Sequence, residues 1–277
     1  MDNKKTVDLL NEDIENEHAA IVQYLSHGCA MGEGELACEI EAIAREEMRH
    51  LDWLAETVVE LGGVPSLIRG KMRTGGQAVS DWMGNDVLAE KDAIKLYREH
   101  IEVISDSKIE RLLKRILSDE ESHHGQFQHF IDKAGRKDAH DLRGTRDDKV
   151  SQALKWSLEH EYTVVLQYML QSYLTKNRQV KDKLEDLAVN EMQHLGWLAE
   201  EMVGIGATPE IEHTEIDRST ETTDMLKVDI EIEEKVAVEY GRIANEIEDD
   251  DLKILFLRMR DHEKYHAEIF NDLLKDE

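Results

Sequence analysis

Apolar residues recur at spacings of three and four along almost the whole chain, the period of amphipathic α-helices. The pattern predicts eight long helices, over residues 5–30, 36–61, 84–105, 108–134, 149–175, 178–205, 222–247 and 250–275. Two longer stretches, 62–82 and 204–220, separate the second helix from the third and the sixth from the seventh. A connection of that length is typical of a crossover that runs along a four-helix bundle. The predicted fold class is therefore all-α, with two such bundles.

The second half of the chain repeats the first. EMRHLDWLAETVVELGGVP at 47–65 matches EMQHLGWLAEEMVGIGATP at 191–209, an offset of 191 minus 47, or 144. Three further pairs of segments match at this offset or one residue less: 17–24 with 161–168, 90–97 with 233–240, and 120–123 with 263–266. Self-similarity on this scale indicates a tandem duplication. We predict domains 1–138 and 139–277, joined by a linker at 135–148.

Composition and charge narrow the class of protein. The 277 residues include 34 Lys and Arg against 61 Asp and Glu, a net charge of −27. Phosphate backbones and anionic lipid repel so acidic a chain, so we expect neither nucleic acid nor a membrane as a partner. No apolar run reaches the length of a membrane span, and the first residues lack the apolar core of a signal peptide. With only Cys29 and Cys38, which suit a reducing compartment, we expect a cytoplasmic protein.

Four glutamates in each half fall at matched heights of the predicted bundle. Glu17 and Glu47 lie on either side of the turn at residue 32, each roughly 22 Å from it at 1.5 Å per residue. The same symmetry relates Glu90 to Glu120, Glu161 to Glu191, and Glu233 to Glu263. A histidine follows the second and fourth glutamate of each half by three positions, on the same helix face: His50, His123, His194 and His266.

Four carboxylates buried together without a counter-charge would be strongly unfavourable. Two divalent cations would neutralise them, and neutral imidazole adds a ligand suited to iron. One Glu from each of two helices and Glu-x-x-His from the other two is the known pattern of di-iron and di-manganese bundles. Three other Glu-x-x-His copies have no counterpart in the repeat, and we expect solvated helix faces there: Glu15–His18, Glu121–His124 and Glu210–His213.

These motifs resemble the ferritin-like superfamily and, within it, bacterioferritin. Glu17 with Gln23, Tyr24 and His27 is similar to the first helix of that family, and EEMRH at 46–50 to its second. The resemblance implies oxidation of Fe(II) by O2 or H2O2 at a di-iron pair in each half. It implies terminal ligand pairs Glu17–His50, Glu90–His123, Glu161–His194 and Glu233–His266, bridged by Glu47, Glu120, Glu191 and Glu263.

The resemblance also implies roles for neighbouring residues. Tyr24 and Tyr168 match a family tyrosine beside the di-iron site, an electron donor; the alternative is a tyrosine that packs and binds a ligand glutamate. Met48 and Met192 match the methionine that ligates haem b across a two-fold interface, against the alternative of a gap-filling core residue. Two further tyrosines are interpreted as core residues only: Tyr97 and Tyr240.

The chain also departs from the family. The pattern leaves no fifth helix after either bundle, and the positions of auxiliary iron ligands hold Ala42 and Glu46, or Asp186 and Asn190. These losses argue against a storage cage and leave a small homo-oligomer open. A di-iron peroxidase or a di-manganese catalase on the same scaffold stays an alternative, because carboxylate-rich ligands accept both metals. A binding module with vestigial sites is least favoured, since every ligand position is filled.

Overall fold

A computed structural model describes residues 2–32, 34–76, 78–134 and 148–276. Within these ranges the secondary structure consists of eight α-helices and no strand, which confirms the all-α prediction. The helices are α1 (Asn3–Met31), α2 (Glu35–Glu60), α3 (Val79–Val103), α4 (Ser107–Ala134), α5 (Asp148–Leu174), α6 (Arg178–Gly204), α7 (Thr222–Glu246) and α8 (Asp250–Asp276). None of the described helices is long and apolar enough to cross a membrane.

The chain divides into two compact units, Met1–Asp141 and Leu142–Glu277, each with four of the helices. Within each unit the helices pack most extensively in consecutive pairs: α1 with α2, α3 with α4, α5 with α6, and α7 with α8. We call the two units the first and the second bundle. The predicted boundary between residues 138 and 139 lies outside the described residues, as does the predicted linker apart from Asp148, so both stay predictions.

The start of α3 differs from the prediction, because the helix begins at Val79 rather than at residue 84. Val79, Trp82 and Met83 are all buried, so packing against the bundle holds an extra turn of helix. The Asp81 carboxylate also accepts a hydrogen bond from the backbone N–H of Ala78, 3.2 Å away, and caps that turn. Tertiary burial therefore extends the helix beyond the predicted start.

Each crossover runs beside the first helix of its bundle. The Gly70 N–H donates to the Glu15 carbonyl over 2.8 Å, and a Cβ at Gly70 would come within 2.7 Å of that oxygen, so only glycine fits. In the second bundle, the N–H groups of Thr214 and Asp217 donate to side chains of α5, each over 2.9 Å. These contacts fix the crossovers that join α2 to α3 and α6 to α7.

Apolar layers lie on both sides of the glutamates. On α2, Ile43 and Ala44 are buried before Glu47, and Leu54 is buried after it. The interior of the first bundle also contains an aromatic pair, Tyr24 and Phe127, with ring centroids 4.9 Å apart. The second bundle repeats this pair as Tyr168 and Phe270, at 5.2 Å. The carboxylates are therefore enclosed by close-packed side chains that exclude water.

Candidate metal centres

The first bundle brings six predicted side chains together, at least one from each of its four helices. They form two overlapping groups, and within each group the ligand atoms lie within 4.8 Å of one another. The groups are Glu17, Glu47, His50 and Glu120, and Glu47, Glu90, Glu120 and His123. We call this set the first candidate centre. Because Glu47 and Glu120 belong to both groups, the geometry fits two cations bridged by two carboxylates.

The second bundle repeats this arrangement, which we call the second candidate centre. Its groups are Glu161, Glu191, His194 and Glu263, and Glu191, Glu233, Glu263 and His266, again within 4.8 Å. The shared glutamates are Glu191 and Glu263. All twelve side chains are buried, with exposed fractions of 3% or less, so neither centre is a surface cluster of acids.

Each histidine presents its Nδ1 atom to the carboxylates. His50 Nδ1 lies 2.8 Å from Glu47 Oε2 and 3.0 Å from Glu120 Oε1. His123 Nδ1 lies 2.8 Å from Glu47 Oε1. In the second bundle, the Nδ1 atoms of His194 and His266 each lie 2.7 Å from an oxygen of the same shared glutamate, Glu191. The Nδ1 atoms are therefore the imidazole atoms placed to bind metal.

Many of these buried atoms form no hydrogen bond. They are Glu17 Oε2, Glu47 Oε1, Glu90 Oε2, Glu120 Oε1, His123 Nδ1, both carboxylate oxygens of Glu191, His194 Nδ1, Glu263 Oε1 and His266 Nδ1. Leaving a buried polar atom unsatisfied costs about 1–3 kcal/mol, and several at one point are rare in a stable fold. Divalent cations would satisfy all of them. Carboxylate oxygen with imidazole nitrogen suits iron or manganese.

Burial and the crowding of carboxylates shift the pKa values of the glutamates in the first candidate centre. Burial and the neighbouring carboxylates raise the pKa of Glu17 and of Glu90 well above the usual range. Burial, followed by the charge of Glu47, raises the pKa of Glu120 to about 7. Burial also opposes ionisation of Glu47, yet the close imidazoles of His123 and His50 prevail and lower its pKa to about 2. Metal binding would therefore displace protons from these carboxyl groups.

Four glutamates belong to a single metal group each, and each of them accepts a hydrogen bond from a buried tyrosine. The Tyr24 hydroxyl donates to Glu90 Oε1 over 2.6 Å. Three more tyrosines donate in the same way: Tyr97 to Glu17, Tyr168 to Glu233 and Tyr240 to Glu161. The interpretation of Tyr97 and Tyr240 as core residues only is incomplete: both rings are fully buried, but their hydroxyls hold carboxylates of the centres. Their recurrence in the repeat was the signal available in the sequence.

A family model described as the ferritin-like domain matches residues 7–136 and again residues 151–277. The chain belongs to the ferritin family. The resemblance and the tandem duplication that the sequence predicts are thereby confirmed, because the same model matches each half. Each half is thus a ferritin-like bundle.

Named relatives of this ferritin-family chain are bacterioferritins. That of Desulfovibrio desulfuricans is 35% identical over 126 residues, which cover 43% of this chain and 70% of that protein. Bacterioferritin BfrA of Mycobacterium tuberculosis is 32% identical over 122 residues, 42% of this chain and 76% of that protein. A solved structure of the Desulfovibrio desulfuricans protein, described as showing its diiron site in different catalytic states, matches with a TM-score of 0.45. It is 31% identical and covers 47% of this chain and 80% of that one.

Three histidines of the centres point their Nε2 atoms outward, and the partners of these atoms differ between the two ferritin-like bundles. His50 Nε2 lies 3.4 Å from Asp119 Oδ2, and His123 Nε2 lies 2.7 Å from Glu46 Oε2. In the second bundle, His194 Nε2 lies 2.9 Å from His262 Nδ1. Asp119 and His262 belong to no motif of the sequence, although each directly precedes a glutamate of a centre. Glu46 lies in the EEMRH segment and at the predicted position of an auxiliary iron ligand, and neither feature predicts its contact with His123.

The three Glu-x-x-His copies that have no counterpart in the repeat lie outside the metal groups found in the described residues. Glu121 and Glu210 are exposed, as expected of solvated faces. His18 contradicts that expectation, because it is buried with an exposed fraction of 3%. The crossover passes close to this part of α1, where the Gly70 N–H donates to the Glu15 carbonyl. The spacing of Glu15 and His18 in the sequence does not reveal this tertiary burial.

Proposed function

We propose that this chain is a ferroxidase that oxidises Fe(II) with O2 or H2O2 at two dinuclear sites, one in each ferritin-like bundle. The observation that carries the proposal is the set of buried oxygen and nitrogen atoms without hydrogen bonds, gathered into two overlapping groups per bundle. The choice of iron is supported by the family and by the bacterioferritin relatives, which align with about one bundle each. The proposed purpose is iron storage or detoxification.

At each site, different residues would bind the iron ions, orient the carboxylates and exclude water. Two bound Fe(II) ions would together supply the two electrons that reduce O2 to H2O2, with two protons taken up. In the first bundle, Glu47 and Glu120 would be shared by both ions, while Glu17 with His50 would hold one ion and Glu90 with His123 the other. The phenols orient the terminal carboxylates, and the apolar layers keep bulk water away.

We propose Tyr24 and Tyr168 as electron donors to these sites. Reduction of the H2O2 onward to water takes two further electrons; the Tyr24 phenol would supply one and a third Fe(II) ion the other. On losing its electron, the phenol would release its proton to Glu90, which accepts its hydrogen bond at 2.6 Å. Tyr97 and Tyr240 offer a matched comparison, because they also donate to terminal glutamates. The hydrogen bonds therefore do not distinguish Tyr24 and Tyr168 from Tyr97 and Tyr240. The choice of Tyr24 and Tyr168 as electron donors rests on the family resemblance alone.

Changing Tyr24→Phe and Tyr168→Phe together should remove the tyrosyl radical signal seen by electron paramagnetic resonance after Fe(II) is mixed with O2. The metal content should stay at about four ions per chain, since two dinuclear sites remain. The control is the pair Tyr97→Phe and Tyr240→Phe, which should keep the radical. A radical that persists in the first variant and disappears in the control would reverse the assignment.

Haem b at Met48 and Met192 stays a prediction. Both side chains are half-buried, and each directly follows a glutamate shared by the two groups of its centre. A thioether is a suitable axial ligand for haem iron. The Soret absorption of the protein purified from haem-supplied cells tests this, and Met48→Leu with Met192→Leu should abolish it.

The proposed function is tested by size-exclusion chromatography with light scattering and element-resolved metal detection, followed by oxidation of the bound Fe(II). We expect about four iron ions per chain and rapid oxidation by O2 or H2O2. A very large particle with hundreds of irons would mean storage; a monomer or small oligomer would mean detoxification. Manganese in place of iron, with H2O2 dismutation, would favour the catalase alternative, because these ligands accept both metals. Absence of bound metal would contradict both functions.

A further inference from the structure

The two candidate centres differ on the outer side of their histidines. In the first bundle, two carboxylates lie there: Asp119 beside His50 and Glu46 beside His123. At the equivalent positions, 143 and 144 residues later, the second bundle has His262 and Asn190. His262 contacts His194. The exposed Asn190 instead donates its amide to the Asp186 carbonyl in its own helix, over 3.1 Å.

The hydrogen bonds and the burial of the glutamates, in contrast, are matched between the two centres. Each terminal glutamate accepts a hydrogen bond from a tyrosine at the equivalent position of its bundle. Each pair of shared glutamates is equally buried, and each histidine turns Nδ1 inward. The hydrogen bonds around the two centres differ at the outer side of the histidines.

A carboxylate that accepts the N–H of a metal-binding imidazole fixes the ring and raises the basicity of the ligand nitrogen. An aspartate or glutamate also brings a negative charge close to the cation, reduced here by an arginine that pairs with it: Arg115 with Asp119 and Arg49 with Glu46. An imidazole raises the basicity of the ligand nitrogen less and brings no negative charge. To accept a hydrogen bond from His194 Nε2, His262 must be neutral, with its proton on Nε2 and its Nδ1 free to accept. Asn190 brings no charge and points to its own backbone.

We propose that the first candidate centre binds divalent metal more tightly than the second, because Asp119 and Glu46 support its histidines. The inference rests on the proposed function, since it requires that both centres hold metal. Asp119 and Glu46 are positioning residues here; they act through His50 and His123. When metal is scarce, the first bundle retains it while the second stays open to exchange. Duplication would thus have produced one retentive and one exchanging site.

The test is anaerobic titration with Co(II) alone, read by calorimetry and by the absorption of bound Co(II). Glu191→Ala leaves only the first centre and Glu47→Ala only the second. We expect affinity at least about tenfold higher in the Glu191→Ala protein, the scale on which outer partners act. In the Glu47→Ala background, Asn190→Glu with His262→Asp should raise the affinity of the second centre by a similar factor.

The reverse exchange, Glu46→Asn with Asp119→His in the Glu191→Ala background, should weaken the first centre by about tenfold or more. Its control for lost charge is Glu110→Asn with Glu121→Asn, a half-buried and an exposed acid of the same bundle that pair with Lys114 and Arg98. The control should leave affinity almost unchanged. Equal affinities, or exchanges without effect, would overturn the inference while leaving the ferroxidase proposal intact. If neither single-centre protein binds Co(II), the proposed function fails as well.

Discussion

Replacing Glu47 and Glu191 together by alanine should abolish tight metal binding while both ferritin-like bundles stay folded. Each of these glutamates belongs to both metal groups of its bundle, so its loss removes a ligand and a negative charge from both positions. The content should fall from about four ions per chain to almost none. Folding should survive, because alanine is the best helix former and the change removes a buried carboxylate. Element-resolved metal analysis and far-UV circular dichroism measure the two outcomes.

The matched control for that variant is Glu121→Ala with Glu210→Ala. Both residues also precede a histidine by three positions, yet they are exposed and form ion pairs with Arg98 and Lys155. The control should keep its full metal content. An unchanged metal content in the Glu47→Ala and Glu191→Ala protein would contradict the assignment of the centres, whatever the control does.

The residues of the two centres were predictable because their signal is redundant. The spacing from each turn sets the height of Glu17 and Glu47, helix periodicity places His50 on the face of Glu47, and the repeat selects the motifs that recur. The structure brings all twelve predicted side chains into the four groups. Helix geometry and the repeat together fix these relations, so no knowledge of side-chain packing was needed.

The outer partners of the histidines were not predictable in this way. Asp119 and His262 occupy equivalent positions but are chemically different, so the repeat gave no signal. Whether such a residue reaches Nε2 depends on the rotation of α4 against α2, or of α8 against α6, which only packing sets. Tyr97 and Tyr240 do recur in the repeat, but periodicity places only the ring in the core and does not say what the hydroxyl contacts.

A second large effect is expected from a buried ion pair that only the first bundle has. His100 Nδ1 lies 2.8 Å from Asp13 Oδ1, and their exposed fractions are 4% and 0%. The second bundle has Ser157 and Ile243 at the equivalent positions. Burial raises the pKa of Asp13 to about 6 against the opposing influence of His100, and the Asp13 carboxylate raises the pKa of His100 despite burial. At neutral pH each of these two side chains therefore stabilises the charged form of the other.

Changing His100→Ile alone should lower the stability of the first bundle by about 3 kcal/mol, because it leaves a buried carboxylate without its partner. Adding Asp13→Ser should restore most of that loss, since the double variant reproduces the pair that the second bundle already packs. Scanning calorimetry of the metal-free protein measures both, with the unfolding transition of the second bundle as an internal control that should not move. A double variant as unstable as His100→Ile would contradict this account. It would mean that the fit of the imidazole against its neighbours, rather than its pairing with Asp13, stabilises the first bundle.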